Sequence, residues 1–477
     1  MTALRPPPDQ DIVVVGATGD LAHRKLLPAL YNLSVDHLLP ERGDIVGSAP
    51  FAWDDQRFRD FARDGVTKFS RTGINIAAFD SFAERLHFAP MGPQGDLSPL
   101  RGHLNCARRI AYLAVPPSAF KPLIAALGRA HLAEGTSIII EKPFGHDLSS
   151  ARELNRTLHA VIPEERVYRI DHYLGKETVQ NLLVFRFGNS VSERIWNRDA
   201  IARVEITVAE SLGVDGRGLL YEEIGAVRDI VQNHMFQVLA VTAMEPPISF
   251  DAEAIRNEKV KVLESIHPID PHDMVRGQYA AGAVEGERVV GYLEEPGVAA
   301  DSTTETFAAL RVHLDSWRWS GIPFLLRTGK RLPTRDTRIV ITFRDVPVHL
   351  FRAVGVHQMD SNRMVVRIQP NEGIALKFVA KQPGPEVTTQ EVEMTFSYGA
   401  SFKTSPPEAY ERLLHDALEG DHTLFIREDE VESGWAAVER VLVAPPAVHL
   451  YPAGSWGPPE ADRIATPGHW HNATVPA

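Results

Sequence analysis

The stretch DIVVVGATGDL, residues 11–21, constrains the fold of this chain more than any other part of the sequence. Asp11 to Val15 is a short run rich in β-branched residues, which is typical of a buried parallel strand. Gly16 and Gly19 follow at once, and glycines allow a tight turn in which backbone N–H groups approach a phosphate. The stretch therefore predicts the opening of a dinucleotide-binding domain. Because the spacing is GxxGxL and not GxGxxG, a purely structural turn before a helix stays open as the alternative.

Similar apolar runs recur up to about Tyr168 and alternate with helical patterns, which predicts a Rossmann-like, doubly wound α/β domain over residues 11–170. Lys142 directly follows one such run. Ligands of open α/β sheets bind beyond the carboxyl ends of the strands, so we expect Lys142 to contact cofactor and substrate; a surface loop lysine is the alternative. Pro28 lies within the first helical pattern and predicts a kink or an early end there. The further strands are expected within residues 44–47, 109–117 and 136–145.

The second part of the chain shows a different period. Val204, Ile206 and Val208 alternate with polar residues, and residues 374–378 and 391–396 follow the same pattern. Strands with one polar face predict a large, mainly antiparallel sheet covered on one side, whose other face or edge is free for a subunit interface. We therefore expect an α+β domain over residues 171–463, which binds substrate and mediates oligomerisation. Residues 1–10 and 464–477 are predicted to be a disordered and a frayed tail.

Composition excludes several classes of function. The chain has 477 residues, 44% of them hydrophobic, and a net charge of −12, which argues against nucleic acid or an anionic membrane as a partner. Cys106 is the only cysteine, so an intrachain disulfide and a cysteine metal cluster are excluded, and the histidines show no convincing metal-ligand spacing. The first residues lack the apolar core of a signal peptide, and no apolar run approaches the ~20 residues of a membrane helix. These features predict a cytoplasmic metabolic protein.

Two later stretches carry the residue types needed for chemistry. RIDHYLGKE, residues 169–177, contains a carboxylate–imidazole pair, Asp171 and His172, and the cation of Lys176, which suits a phosphate. Its structural alternative is a helix N-terminus capped by Asp171. In residues 221–237, His234 lies on a predicted apolar helical stripe, where a histidine usually only packs. Asp229 lies five positions earlier, about 140° around an α-helix, so the two are not expected to share one narrow face.

Five stretches together resemble the glucose-6-phosphate dehydrogenase family over residues 11 to about 463. They are GATGDLAHRKLLPALYNL (16–33), EKPFG (141–145), RIDHYLGKE (169–177), IxxxRDxxQNHxxQ (224–237) and YPAGSWGP (451–458). The resemblance implies oxidation of D-glucose 6-phosphate at C1, with hydride transfer to NADP or NAD and no metal. It also implies assembly as a homodimer or homotetramer through the large sheet, and a cis peptide bond before Pro143.

The resemblance assigns roles to individual residues. His234 is the expected general base, and Asp171 is expected to orient it and to stabilise the imidazolium. The expected substrate contacts are Lys25, Lys142, His172, Tyr173, Lys176, Glu210, Asp229, Lys330, Arg335 and Gln369. The expected cofactor contacts are Gly16, Thr18, Gly19, Asp20, Leu21, Pro50, Ala114, Pro116 and Lys142.

The chain departs from the family at the end of the second predicted strand. NADP-using members have an arginine for the 2′-phosphate where this chain has Pro50, so NAD or dual use stays open beside NADP. Arg24, Arg57 or Arg59 could replace that arginine. Some animal members bind a second, structural NADP through lysines that align with Asp336 and Ala209, and we expect that site to be absent here.

Two other kinds of protein stay open from the sequence. One is an oxidoreductase of the same plan that acts on another sugar or sugar phosphate, because EKP also occurs in the glucose–fructose oxidoreductase family; RIDHYLGKE and QNH do not resemble that family. The other is a catalytically silent binding protein. Silence predicts loss of the base or of the phosphate-binding lysine, whereas Asp171, Lys176 and His234 are all present.

Overall fold

The structure is a computed structural model, which describes residues 6–354, 356, 359–402 and 408–473. These residues form two compact units. The first contains residues 6–176, 247–257 and 408–432, and the second contains the other described residues. The sequence predicts one contiguous division near residue 170, so the return of two later segments to the first unit is a correction.

The described residues form eighteen strands. In chain order they are β1 Asp11–Val15, β2 Ile45–Ser48, β3 Leu86–Phe88, β4 Arg109–Leu113, β5 Thr136–Glu141, β6 Val167–Ile170, β7 Ile201–Ala209, β8 Met274–Ala280, β9 Gly282–Val284, β10 Glu287–Val289, β11 Phe307–Val312, β12 Phe324–Gly329, β13 Asp336–Phe343, β14 Arg363–Gln369, β15 Gly373–Lys381, β16 Thr389–Ser397, β17 Phe425–Ile426 and β18 Val448–Pro452.

Helices lie between these strands. The α-helices are α1 Leu27–Val35, α2 Asp55–Phe69, α3 Ile76–Glu84, α4 Phe120–Arg129, α5 Leu148–His159, α6 Glu177–Phe187, α7 Ser190–Arg194, α8 Gly218–Ala226, α9 Phe236–Ala243, α10 Ala252–Glu264, α11 Tyr398–Phe402, α12 Ala409–Glu419, α13 Glu428–Val443 and α14 Asp462–Ala465. Two further segments, Ala22–Leu26 and Val227–Met235, are π-helical. Within the described residues, none of the helices combines the length and the apolar composition required to cross a bilayer.

The sheet of the first unit has the strand order β17-β6-β5-β4-β1-β2-β3. Strands β1 to β6 are parallel, in the order 3-2-1-4-5-6 of a dinucleotide-binding fold, which confirms the predicted Rossmann-like domain. The first helical stretch does not end at Pro28. A π-helical turn leads directly into α1, and Pro28 is the second residue of α1.

The segment that returns to the first unit completes both its sheet and its core. β17 pairs antiparallel with β6, and α12 packs against α1. Leu414 and Leu418 of α12 are buried and line one small apolar cavity together with Ile12 of β1. The Glu411 carboxylate in the same helix accepts hydrogen bonds from Asn32 at 2.8 Å and from Arg71 at 2.8 Å. The first unit is therefore built from residues separated by hundreds of positions in the sequence.

The main sheet of the second unit has the order β16-β15-β14-β13-β7-β12-β11-β8-β18. Among its described strands, the β7–β12 and β8–β18 pairs are parallel and the remaining pairs are antiparallel, which confirms the mainly antiparallel sheet. A separate two-stranded hairpin joins β9 to β10.

Residues 464–473 lie on the second unit's sheet, in contrast to the predicted frayed tail. Trp470 is buried, and it stacks on the buried Arg327 guanidinium at 4.6 Å. His471 contacts the Glu205 carboxylate at 2.6 Å through Nδ1, and Arg203 donates a hydrogen bond of 2.8 Å to the His469 carbonyl. Because this segment covers the polar side chains of β7 and β12, the central part of the predicted polar face is buried. Residues 474–477 lie outside the described residues.

The N-terminal segment also differs from the prediction of a disordered tail over residues 1–10. Gln10 is buried, and its side chain donates a hydrogen bond of 2.7 Å to the Leu418 carbonyl. Its backbone N–H donates to the Arg42 carbonyl at 3.3 Å. Residues 1–5 lie outside the described residues.

Candidate active site

The glycine turn after β1 approaches the neighbouring strand ends closely. Gly16 has φ +87°, and a Cβ built there would lie 2.2 Å from the Ala114 carbonyl oxygen, just after β4. The Gly16 N–H donates a hydrogen bond of 2.7 Å to Ser48 at the end of β2. The turn therefore requires glycine for both its conformation and its space. Bare backbone at the carboxyl ends of β1 and β4 fits a dinucleotide pyrophosphate.

The other predicted cofactor residues surround this turn at the same edge of the sheet. Thr18, Gly19, Leu21 and Ala114 are partly exposed. Asp20, Pro50 and Pro116 are exposed, so their side chains are accessible to a ligand.

The three arginines that could replace the arginine missing at Pro50 have different surroundings. Arg57, in the first turn of α2, is exposed, and its guanidinium lies 4.7 Å from the centre of the Trp53 ring. Arg59 points to β3, where its Nε donates a hydrogen bond of 3.2 Å to the Leu86 carbonyl. Arg24 lies over Phe69 at 5.1 Å. Arg57 thus holds its cation on an aromatic platform just beyond the end of β2.

Lys25 lies in the π-helical turn Ala22–Leu26 that follows the glycine turn. Its ammonium forms an ion pair of 2.9 Å with Glu408, immediately before α12. Both side chains are about two-fifths exposed, at 43% and 44%. Such a solvent-accessible pair contributes little to stability, and an anionic ligand can compete with Glu408 for Lys25.

At the end of β5, Lys142 precedes Pro143 through a cis peptide bond, as predicted. The adjacent Glu141 carboxylate accepts hydrogen bonds from the phenols of Tyr112 at 2.5 Å and Tyr410 at 3.0 Å, both on Oε1. Burial raises the pKa of Glu141, and burial beside this carboxylate raises the pKa of both phenols. The phenols therefore remain hydrogen-bond donors, and they hold the Glu141 side chain next to Lys142.

The residues DHYLGK, 171–176, form a turn between β6 and α6, not the start of a helix. Asp171 is buried, and its Oδ1 accepts a hydrogen bond of 2.9 Å from the Tyr173 N–H. Since α6 begins at Glu177, Asp171 does not cap it. The Lys176 ammonium lies 5.4 Å from the centre of the Tyr173 ring, which packs against His172 at 5.0 Å. The turn thus holds imidazole, phenol and ammonium together, a combination that suits a phosphate.

In the second unit, Glu210 and Lys330 follow the ends of the parallel strands β7 and β12, so they meet at one edge of the sheet. The Lys330 ammonium forms an ion pair of 2.8 Å with Glu210 and lies 5.2 Å from the centre of the Tyr221 ring. Arg335 and Gln369 follow at the same edge, where the Arg335 guanidinium donates a hydrogen bond of 3.1 Å to the Gln369 amide oxygen.

Asp229 and His234 lie in the π-helix Val227–Met235, which contacts β7 and β12. A π-helix joins residues i and i+5 by its hydrogen bonds, so residues five apart lie one turn apart on nearly the same face. The α-helical angle expected from the sequence is therefore wrong for this pair. His234 is buried, and Asp229 is partly exposed. Burial, followed by the charge of Asp229, raises the pKa of Tyr221 well above its usual range.

Sequence analysis missed several neighbours of these residues. Glu408 and Tyr410 contact Lys25 and Glu141, but they lie hundreds of positions away in sequence and carry no local motif. Tyr221 stands at the start of a stretch that the sequence does single out, yet its packing against Lys330 depends on the sheet edge.

One group of the first unit has the composition of a metal site. His159 lies 3.0 Å from Glu164 and 3.4 Å from Glu428. Glu164 also pairs with the buried Arg169 at 2.6 Å. The ion pairs among His159, Glu164, Glu428 and Arg169 account for this group, so the group is not evidence for a metal ion.

Each unit has its own chemical character. The first unit brings together a glycine turn, the ammonium groups of Lys25, Lys142 and Lys176, and the Asp171 turn, which suits an anionic dinucleotide and a phosphate. The second provides a buried imidazole with carboxylates, which suits proton transfer and hydrogen bonds to hydroxyl groups.

Two family models match consecutive stretches of this chain. The family model described as "Glucose-6-phosphate dehydrogenase, NAD binding domain" matches residues 13–181, and the model of the C-terminal domain matches residues 183–471. Glucose-6-phosphate 1-dehydrogenase 2 of Mycobacterium tuberculosis is 44% identical over 467 residues, which are 94% of this chain and 91% of the relative. The Mycolicibacterium smegmatis glucose-6-phosphate 1-dehydrogenase is 42% identical over 486 residues, which are 98% of each chain.

Two solved structures are similar over almost the whole chain. The glucose-6-phosphate 1-dehydrogenase of Mycobacterium avium has a TM-score of 0.86 and 38% identity, and covers 98% of this chain and 100% of its own. A glucose-6-phosphate dehydrogenase in complex with its substrate glucose-6-phosphate has a TM-score of 0.88 and 34% identity, and covers 99% and 100%. The chain belongs to the glucose-6-phosphate dehydrogenase family.

Proposed function

We propose that the chain oxidises D-glucose 6-phosphate at C1 to 6-phosphoglucono-1,5-lactone, the first step of the oxidative pentose phosphate pathway. One observation carries the proposal: Asp171, Lys176 and His234 are all present in a chain that matches both family models. The test is absorbance of the reduced nicotinamide with glucose 6-phosphate and either NADP or NAD. Absence of reduction with both nucleotides would contradict the proposal and direct a search among other sugar phosphates.

In this mechanism His234 accepts the proton of the C1 hydroxyl as the C1–H bond breaks. Asp171 orients the imidazole and stabilises the imidazolium that forms. NADP or NAD, when bound, supplies the acceptor of the hydride and its electron pair. Gly16, Gly19 and the strand ends beside them would hold its pyrophosphate.

The remaining predicted residues bind the sugar phosphate in this proposal. His172, Tyr173 and Lys176 bind the phosphate, for which a cation and two hydrogen-bonding side chains are suited. Glu210 and Asp229 accept hydrogen bonds from sugar hydroxyls. Lys25, Lys142, Lys330, Arg335 and Gln369 provide further contacts to the sugar or its phosphate.

We further propose that NADP is the preferred cofactor and that Arg57 binds its 2′-phosphate in place of the arginine missing at Pro50. The support is the position of Arg57 beyond β2, exposed and stacked on Trp53. Arg57→Met is expected to raise KM for NADP by about tenfold or more, since a charge-assisted hydrogen bond contributes ~1.5–3 kcal/mol. KM for NAD is expected to stay unchanged, because NAD lacks the 2′-phosphate. Initial rates over a range of each nucleotide test this.

Arg63→Met is the matched control, because Arg63 lies on the same helix and packs over Phe79 at 4.6 Å in the same manner. An equal rise in both KM values for Arg57→Met would contradict the assignment. If the unmodified chain prefers NAD, Pro50→Arg should then increase its use of NADP.

Self-association as a homodimer or homotetramer is a further proposal, supported by the large sheet of the second unit. The expected result in light scattering after gel filtration is a mass of two or four chains. A mass of one 52.8 kDa chain over the whole concentration range would contradict it. A cytoplasmic location stays a prediction from the sequence.

A further inference from the structure

The π-helix that carries Asp229 and His234 begins next to Glu305, a residue that lies just before β11. The helix follows Gly225, whose φ of +65° breaks the preceding helix. The Ala226 N–H donates a hydrogen bond of 2.9 Å to the Glu305 carbonyl, and the Val227 N–H donates one of 3.2 Å to Glu305 Oε1. Glu305, just before β11, thus binds two consecutive amides at the helix start.

Arg276 of β8 holds the other oxygen of this carboxylate. Its Nε and Nη2 donate hydrogen bonds of 3.2 and 2.9 Å to Glu305 Oε2. The guanidinium also donates to the carbonyls of Pro446 at 3.0 Å and Thr303 at 2.6 Å. Glu305 is 5% and Arg276 7% exposed. Arg276 therefore neutralises the charge of the Glu305 carboxylate and binds its Oε2, while Oε1 faces the helix.

The fit between Glu305 and the helix start is close. A Cβ added to Gly225 would lie 2.5 Å from Glu305 Oε1. The next residue, Thr306, accepts a hydrogen bond of 2.9 Å from the Lys330 N–H through its carbonyl. Glu305 and Thr306 therefore contact two parts of the second unit. Glu305 binds the start of the π-helix that carries Asp229 and His234, and Thr306 binds Lys330 just after β12.

We propose that Glu305 is a positioning residue, which fixes the start and register of the π-helix and so the positions of His234 and Asp229. The proposal rests on the function proposed above for His234. Free N–H groups at a helix start can be satisfied by water if the helix shifts or tightens into another hydrogen-bonding pattern. In a π-helix such a change rotates every later side chain, and a misplacement of ~1 Å can lower a rate by about 10².

Two double variants separate this role from the stability that the buried ion pair provides. Arg276→Met with Glu305→Gln keeps a neutral acceptor for the Val227 N–H, whereas Arg276→Met with Glu305→Leu removes it. Both replace the ion pair by uncharged residues of similar volume, which is often tolerated, and neither leaves a lone buried charge. Similar melting temperatures are therefore expected for the two proteins.

The expected result is a kcat for the leucine double variant that is lower than that of the glutamine one by about tenfold to a hundredfold. KM for the nucleotide should be equal in both, because the glycine turn lies in the other unit. Equal kcat values in the two double variants, whether high or low, would overturn the proposal. Glu287 is an exposed residue of the β9–β10 hairpin, so Glu287→Leu is the control and should leave kcat unchanged.

His234→Ala, measured beside these variants, distinguishes failure of this proposal from failure of the proposed function. If His234→Ala loses activity while the two double variants have equal kcat, the positioning role alone is overturned. If His234→Ala keeps its activity, the role of His234 as the base is wrong and the positioning role falls with it.

Discussion

Replacing His234 by alanine is expected to lower kcat by a factor of about 10² to 10⁴, the usual contribution of a general base. The imidazole is proposed to accept the C1 hydroxyl proton, and alanine provides no group that can do so. KM for glucose 6-phosphate should change much less, because the ground state is bound mainly through its phosphate and its other hydroxyls. Initial rates at saturating sugar phosphate and nucleotide give kcat directly.

A histidine far from any proposed role provides the control. The side chain of His272 is 98% exposed, so His272→Ala should leave both constants unchanged. An unchanged kcat in His234→Ala would show that another group accepts the proton, and the pairing with Asp171 would then have no catalytic meaning.

Replacing Lys176 by alanine is expected to raise KM for glucose 6-phosphate by about tenfold to a hundredfold, because a hydrogen bond to a charged group contributes ~1.5–3 kcal/mol. The residual rate with free glucose should be unaffected, since free glucose has no phosphate for the ammonium to bind. Steady-state kinetics with both sugars separate the two effects.

Lys261→Ala is the control, since the side chain of Lys261 is 61% exposed and pairs with Glu258 on the surface of α10. An equal loss of activity with glucose and with glucose 6-phosphate would exclude Lys176 as the phosphate contact and point to damage of the turn at residues 171–176.

The first sheet was predictable because its pattern is local. Runs of buried β-branched residues followed by glycine or proline mark both the strands and the loops at their carboxyl ends, and parallel strands place those ends at one edge. The placement of Gly16 and Lys142 at one edge of the sheet follows from that rule, whereas the strand order β3-β2-β1-β4-β5-β6 is a property of the fold. The mainly antiparallel second sheet was predictable for the same reason, through its period of two.

The π-helix around His234 was not predictable from the apolar stripe. Val227, Val231 and His234 are spaced by three or four residues, which fits an α-helix, and all three are buried in the π-helix as well. We infer that the contact of the helix start with Glu305 favours the π-helix over the α-helix, and Glu305 lies 78 positions away from Val227. Sequence periodicity contains no information about such a contact.

The C-terminal segment was misjudged for a related reason. Residues 464–473 contain proline, glycine and polar side chains, a composition that favours a loop, and a loop without partners frays. Trp470 is the local sign that the segment packs, but its partner, Arg327, lies on a strand far away in sequence. The coverage of the polar sheet face by this segment therefore depends on tertiary contacts alone.

The return of α12 and β17 to the first unit has a consequence for synthesis on the ribosome. When residue 176 has left the ribosome, the parallel strands β1 to β6 have all been synthesised. Leu414 and Leu418, which pack over β1, have not yet been synthesised at that point. The apolar surface that they later cover, and the free edge of β6, stay open to solvent or to a chaperone while about 250 more residues are made. The dinucleotide domain therefore cannot be completed before α12 and β17 have been synthesised.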